Sequence, residues 1–296
     1  MLLIADSVIP VFVSTKQFLV SIQHLLKRYS AITSTLYSFF KAVFCFMRML
    51  FLTTLLYFSV SHVLFAGTVS VAVASNALKA VQSMKVEFEK NTGHQLNISS
   101  GSTGKLYAQI VNGAPYDVFL AANVSEPKHL DTDGMIVKGS RFTYAKGRLA
   151  LCSTRIALDE VSAKKILSSG DFNRLAMASP KTAPYGQAAQ AVLQNLKLWK
   201  QNKAKIIKGE NISQAYQFTA SGNVDMGFIA VAQVWKNSST PLKPCWYIEQ
   251  SLYPLLEQQA VWLKRASANP AAKAFVDFLH SAPAKKILSE GFGYGI

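Results

Sequence analysis

Three cysteines, five histidines and sixteen carboxylates in 296 residues leave little material for metal or acid–base chemistry. His24, His62, His94, His129 and His280 share no ligand spacing, and no CxxC, HExxH or EF-hand pattern is present. A metal enzyme is therefore disfavoured, with no metal-cation ligands and no cofactor expected. Asp117 and Asp225 sit at or beside expected strands without a partner at acid/base spacing, so they read as structural. Lys105 follows a glycine turn, but GxxxxGK[ST] is missing, and the lysine reads as solvent-facing. Clustered positive charge is missing too. The 31 basic residues are spread along the chain, with only short pairs such as Lys164-Lys165 and Lys285-Lys286, which is not the footprint of a nucleic-acid binder. Trp199, Trp235, Trp246 and Trp262 form no stacking platform and read as core or hinge packing.

What is present at the N-terminus needs separate treatment. From Met47 the chain reads MRMLFLTTLLYFSVSHVLFAG: a short basic start, an apolar run and a small residue, Ala66. That is the order of a secretory signal peptide, expected over 47–66 and placing the mature protein in the periplasm. The competing reading is a membrane anchor whose apolar run begins near Tyr37. No cysteine stands at the start of the mature chain, so a lipoprotein is not supported. Residues 1–46 lack the pattern of a folded module, apart from a short amphipathic stretch at Phe18 to Leu26, and are expected to be a misassigned upstream extension. Residues 1–66 hold five basic residues against Asp6 alone, which leaves 26 basic against 15 acidic residues beyond them, a net charge of +11. Such a field attracts anions. With Cys45 in the discarded segment, Cys152 and Cys245 remain. A disulfide and two buried thiols are equally open.

Beyond residue 66 the pattern is βα repeated. Thr68 to Val73 is an apolar β-branched run, and Leu78, Val81, Met84 and Phe88 then recur at helical spacing until Asn91-Thr92-Gly93. Strands are expected at Leu96–Ser99 and Asp117–Ala121, with a helix at Leu106–Val111. After Lys146-Gly147 the alternation restarts: strands Arg148–Ser153, Leu175–Ala178, Lys205–Ile207 and Met226–Val231, with helices Asp159–Leu167, Gln187–Leu196 and Ile212–Ala220. An apolar segment at Ala260–Leu263 and helices near Ala271–Leu279 and Pro283–Leu288 close the chain. Apolar strands alternating with helices imply two α/β domains, each a mainly parallel sheet covered by helices on both faces.

Four helix starts follow strands and carry small, polar or glycine residues: Ala74-Ser75-Asn76, Gly101-Ser102-Thr103-Gly104, Ala183-Pro184-Tyr185-Gly186 and Gly209-Glu210-Asn211-Ile212-Ser213. In open α/β sheets such turns lie at the carboxyl ends of strands, where ligands bind. Each offers unpaired backbone N–H groups and the positive end of a helix dipole, so together they describe an anion site. Ser75 and Ser102 either donate to that anion or merely cap their own helices. Glu210 reads as a cap or a lysine partner, not a ligand contact.

The segments VAVASNAL, SSGSTGKLYAQI, GAPYDVFLAAN, ASPKTAPYGQAA, KGENISQAYQFTASGNVDMGFIA and SLYPLLEQQAVWL carry a resemblance. From about Thr68 to Gly295 the chain resembles the periplasmic molybdate-binding proteins (ModA type) of ABC transporters. The resemblance implies a type II two-domain periplasmic binding protein, with domain 1 from 67–148 and 256–296, domain 2 from 149–255, and two hinge crossings near 147–151 and 248–258. It implies that Ser75 and Ser102 bind an oxyanion, molybdate or tungstate, through hydroxyls, and that Asn76, Ser102 and Ile212 bind it through backbone N–H. Tyr185 falls where one branch of the family uses a tyrosine; another branch places it at the position held here by Ala230. The implied partner is an inner-membrane permease, and a monomer that is not an enzyme is expected. A dianion held by neutral donors needs six or seven hydrogen bonds, each worth about 1.5–3 kcal/mol. Carboxylates would repel it, and protonated phosphate would find no acceptor. Sulfate or another tetrahedral oxyanion is the first alternative, and a transferase on the same fold is the second.

Overall fold

A computed structural model describes residues 15–59, 66–236 and 241–296. The chain divides into two compact units, Met1–Leu64 and Phe65–Ile296. In the first, α1 runs unbroken from Thr15 to Ser59. This is far longer than the short amphipathic stretch expected from the sequence, and the reason is local: no glycine or proline interrupts those 45 residues. Leu19, Phe44, Met47 and the other large apolar side chains described along it are exposed. Among the described residues no helix is long and apolar enough to cross a membrane. Of the expected signal segment, residues 60–65 lie outside the described residues.

The second unit holds two five-stranded sheets. The first contains β1 (Thr68–Ala74), β2 (Gln95–Gly101), β3 (Val118–Leu120), β4 (Phe142–Gly147) and β10 (Leu256–Trp262), in the order β2-β1-β3-β10-β4. The second contains β5 (Leu149–Cys152), β6 (Leu175–Ala178), β7 (Ile206–Gly209), β8 (Met226–Ala230) and β9 (Trp246–Tyr247), in the order β7-β6-β8-β5-β9. The βα units supply the parallel pairs β1/β2, β1/β3, β6/β7 and β6/β8. Both sheets are mixed, because the strands next to the chain crossings, β10 and β5, pair antiparallel with their neighbours. The chain leaves the first sheet at Arg148, between β4 and β5, and returns between β9 and β10.

Helices α2 (Leu78–Thr92), α3 (Thr103–Val111), α4 (Ser125–Thr132), α5 (Glu160–Ser169), α6 (Pro184–Asn195), α7 (Trp199–Asn202), α8 (Ile212–Ala220), α9 (Pro270–His280) and α10 (Ala282–Lys286) complete the unit. Their ends follow local chemistry. Gly93 adopts φ 70° after α2, a left-handed stop that suits glycine. Asp159 caps α5 through a capping box with Ser162. Pro184 starts α6 at its first turn, where its missing N–H costs nothing. β1, β6 and β8 are buried as near-continuous apolar runs, as expected where helices cover both faces, whereas the edge strands β2 and β7 are largely exposed. One face of the first sheet packs under α2 and α9, where Phe88 meets Phe275 edge-on with ring centroids 5.3 Å apart. The other face packs Leu106, Ile110, Phe119 and Leu130. Leu149, Met177, Val192 and Phe228 belong to the core of the second sheet. Cys152, ending β5, is disulfide-bonded to Cys245, just before β9, which decides between the two cysteine readings. The four tryptophans are packing residues; Trp235, for example, donates its indole N–H to the Glu290 carbonyl at 3.1 Å.

Candidate functional site

The carboxyl ends of β1, β2 and β7 lead within a few residues into helix starts, and that of β6 does so through the turn at 179–183; these starts surround one small cavity. Ser75, Asn76, Ser102, Tyr185 and Ile212 all line it. Ala230, the alternative tyrosine position, is fully buried at the end of β8 and does not. No charged side chain is among the lining residues.

Each polar group meets the cavity for a local reason. Ser75 sits inside a 3-10 turn, Ser75–Ala77, whose cap position belongs to Ala74, so the serine caps nothing. Ser102 does occupy the cap position of α3, with extended backbone, yet its side chain accepts no amide bond. Its hydroxyl is buried with no hydrogen-bond partner among the described residues. A buried hydroxyl without a partner costs about 1–3 kcal/mol, so the position is not explained by stability. Asn211 does cap α8: its side chain accepts from the Gln214 N–H at 3.1 Å. That leaves the Ile212 N–H, two residues earlier at the first helical position, without an intrahelical acceptor. The Asn76 side chain is engaged elsewhere, donating to Gln258 Oε1 at 2.8 Å and to the Tyr294 hydroxyl at 3.0 Å. What Asn76 can offer the cavity is therefore its backbone N–H.

Tyr185 is 1% exposed, and burial, reinforced by Tyr294 nearby, pushes its hydroxyl well above the ordinary tyrosine value. It stays protonated and can donate. Sequence reasoning did not find what stands behind it: Gln258 Nε2 lies 3.2 Å from the Tyr185 oxygen, and Tyr144 and Tyr294 complete the network. The only signal was an EQQ string inside a strand, where two buried glutamines are unusual.

Residues next to the lining ones in sequence make contacts between the two halves. The Gly104 N–H donates to the Thr182 carbonyl at 2.9 Å, and the Ser213 hydroxyl to the Ser75 carbonyl at 3.1 Å. Lys105 pairs with Glu210 at 2.7 Å and neither lines the cavity, so the lysine is not simply solvent-facing. Asp117 and Asp225 are structural anchors, paired with Arg265 and Arg155 and accepting backbone N–H bonds. Among the described residues no group of His, Cys, Asp and Glu could hold a metal ion.

Two α/β halves joined by two crossings, with a cavity of neutral donors at the facing helix starts, define a solute-binding protein of the two-domain type. The chain belongs to the family of bacterial extracellular solute-binding proteins, which matches residues 69–295. Within that family it is similar to the molybdate-binding protein ModA of Azotobacter vinelandii, 43% identical over 78% of this chain and 91% of the relative. The ModA of Rhodobacter capsulatus is 40% identical over 77% of this chain and 88% of the relative. The solved structure of the Azotobacter vinelandii periplasmic molybdate-binding protein superposes with a TM-score of 0.72 at 36% identity, covering 77% of this chain and 99% of that one.

Proposed function

We propose that this protein captures molybdate, or the nearly isosteric tungstate, between its two halves and delivers it to an ABC permease in the inner membrane. The observation that carries the reading is the lining itself: three hydroxyls and the helix-start amides converge, and no carboxylate or cation faces them. Six donors, the hydroxyls of Ser75, Ser102 and Tyr185 and the N–H groups of Asn76, Ser102 and Ile212, match a fully ionised tetrahedral dianion. At about 1.5–3 kcal/mol each, less the cost of ordering, they support submicromolar affinity. The names of the relatives, two ModA proteins with 40–43% identity, support the same ligand.

The ligand bridges 67–148 with 256–296 on one side and 149–255 on the other, so binding favours the closed arrangement that the permease reads. Export through a cleaved signal peptide at 47–66 supplies the periplasmic location. The protein acts as a monomer, with no resident cofactor, no nucleic-acid partner and no catalysis, since the cavity holds neither a nucleophile beside a base nor an acid/base pair.

Titration calorimetry with molybdate, tungstate, sulfate and phosphate tests the reading. Molybdate and tungstate are expected to bind at least about a hundredfold more tightly than sulfate or phosphate. Equal affinity for sulfate would replace molybdate with a general oxyanion.

A further inference from the structure

Behind the cavity, five side chains form a hydrogen-bond network whose polarity follows from atoms that leave no choice. The Asn76 carbonyl can only accept, and the Tyr294 hydroxyl lies 2.9 Å from it, so the single proton of Tyr294 is committed there. The Tyr294 oxygen must then accept from its other neighbour, the Asn76 side chain at 3.0 Å, which fixes the nitrogen of that amide toward it. The second proton of that nitrogen goes to Gln258 at 2.8 Å, so the Gln258 atom facing Asn76 is its oxygen. The same oxygen accepts from the Tyr144 hydroxyl at 2.9 Å. The Gln258 nitrogen is thereby turned to the Tyr185 oxygen at 3.2 Å, and a nitrogen of this kind can only donate. Tyr185 accepts, and its own proton is left for the cavity it lines.

Gln258 is fully buried and does not itself line the cavity. The backbone of Gly147 seals the far side of the pair: a Cβ there would lie 2.2 Å from the Tyr185 hydroxyl and 2.5 Å from the Gln258 nitrogen. Ser75 and Ser102 have no such constraint. The Ser102 hydroxyl is buried without a hydrogen-bond partner among the described residues, and the Ser75 hydroxyl caps no helix, so each can rotate to donate or to accept.

We infer that Gln258 is a positioning residue that holds Tyr185 as an obligatory donor, and that this locked polarity makes the cavity reject oxyanions that still carry a proton. The inference rests on the oxyanion reading above. The serine rotors can adapt to a protonated oxyanion. At Tyr185 such an anion meets proton against proton.

The test measures the molybdate-to-phosphate affinity ratio near pH 7.5, where phosphate carries a proton and molybdate does not, with unprotonated sulfate as the control. In Gln258→Glu one oxygen still accepts from Asn76 and Tyr144 while the other takes the Tyr185 proton, turning a lone pair to the cavity. In Gln258→Met the tyrosine becomes a free rotor. Both variants, checked for a cooperative thermal transition, are expected to lower the molybdate-to-phosphate ratio by about tenfold or more and the molybdate-to-sulfate ratio much less. In a Tyr185→Phe background the same Gln258 substitutions are expected to leave the phosphate ratio unchanged. A phosphate ratio that holds in both Gln258 variants, or that moves equally with and without the tyrosine hydroxyl, overturns the inference. A wild-type protein that does not bind molybdate at all overturns instead the reading on which it rests.

Discussion

Two residues at helix starts look alike in sequence and do opposite things. Ser102 and Asn211 each precede a helix after a strand, but only Asn211 spends its side chain on its own helix. Ser102→Ala is therefore expected to weaken molybdate at least about tenfold, the loss of one hydrogen bond to a charged group, while the thermal midpoint of the unliganded protein holds or rises. Asn211→Ala is expected to cost about 1 kcal/mol of stability, the usual value of a lost cap. Calorimetry and thermal melts on the two variants separate the roles, and a Ser102→Ala protein that is destabilised with unchanged affinity would return that serine to capping. The buried tyrosines carry a different signature. Desolvation raises Tyr144, Tyr185 and Tyr294 above the ordinary tyrosine value, with like neighbours adding to it at Tyr144 and Tyr185. A folded value above the unfolded one gives stability that is fully present below the unfolded value, about 10, and is lost as pH rises toward the folded values. Thermal midpoints are expected to stay level to about pH 9.5 and then to fall steeply, with all three hydroxyls demanding neutrality inside the fold. A level profile to about pH 12 would contradict the burial.

At the scale of elements, most of the second unit was legible because its signals are local. The strand at Leu175–Ala178 and the helix at Ile212–Ala220 coincide with the expected ones, since a continuous apolar run and a capped, glycine-preceded start each specify their own ends. The strands β4 and β9 were not legible. FTYAKG mixes polar and apolar residues and is held by pairing with β10, more than a hundred residues away, and β9 is two residues long. The five cavity residues could be chosen from helix-start chemistry and family resemblance. Gln258 could not, because its meaning depends on Asn76, Tyr144, Tyr185 and Tyr294, which only the fold assembles. The disulfide lies between these cases: the two cysteines were visible, and their pairing needed β5 and β9 to be neighbours. Its closed loop, with a sequence separation of 93, restricts the unfolded chain by about 4–5 kcal/mol on the entropic account. Reduction is expected to lower the thermal midpoint by on the order of 10 °C. Neither cysteine lines the cavity, so molybdate affinity well below that transition is expected to hold.

Over the whole molecule, charge and closure act on different steps. The net charge of +11 beyond residue 66 raises the encounter rate with anions and weakens with salt. It cannot supply specificity, because no cation lines the cavity. On the proposed reading affinity is set at closure, and the contacts that join the two halves differ in weight. Lys105 and Glu210 are about half exposed, with side chains 49% and 64% accessible, so solvent screens their pairing to about 1 kcal/mol or less. Glu210→Gln is expected to change molybdate affinity by under about fivefold, and less at high salt. Gly104 is different, because its N–H bonds the Thr182 carbonyl and a Cβ there would lie 3.1 Å from that oxygen and 3.2 Å from the Thr182 Cα. The neighbour is Thr182 backbone and not a flexible side chain, so a rotamer change cannot make room for a branched side chain. Gly104→Val acts as a wedge that penalises the closed arrangement and leaves each half intact. Ligand binding then has to supply the closing energy as well, and apparent affinity falls by the fraction of molecules still able to close. The expected result is a loss of about tenfold or more in molybdate affinity with an unliganded melting point close to that of the wild type. Small-angle scattering on the variant at subsaturating molybdate is expected to keep the open dimensions at concentrations where the wild type has already contracted. Equal contraction of both proteins at equal ligand would show that the Gly104–Thr182 approach contributes nothing to closure.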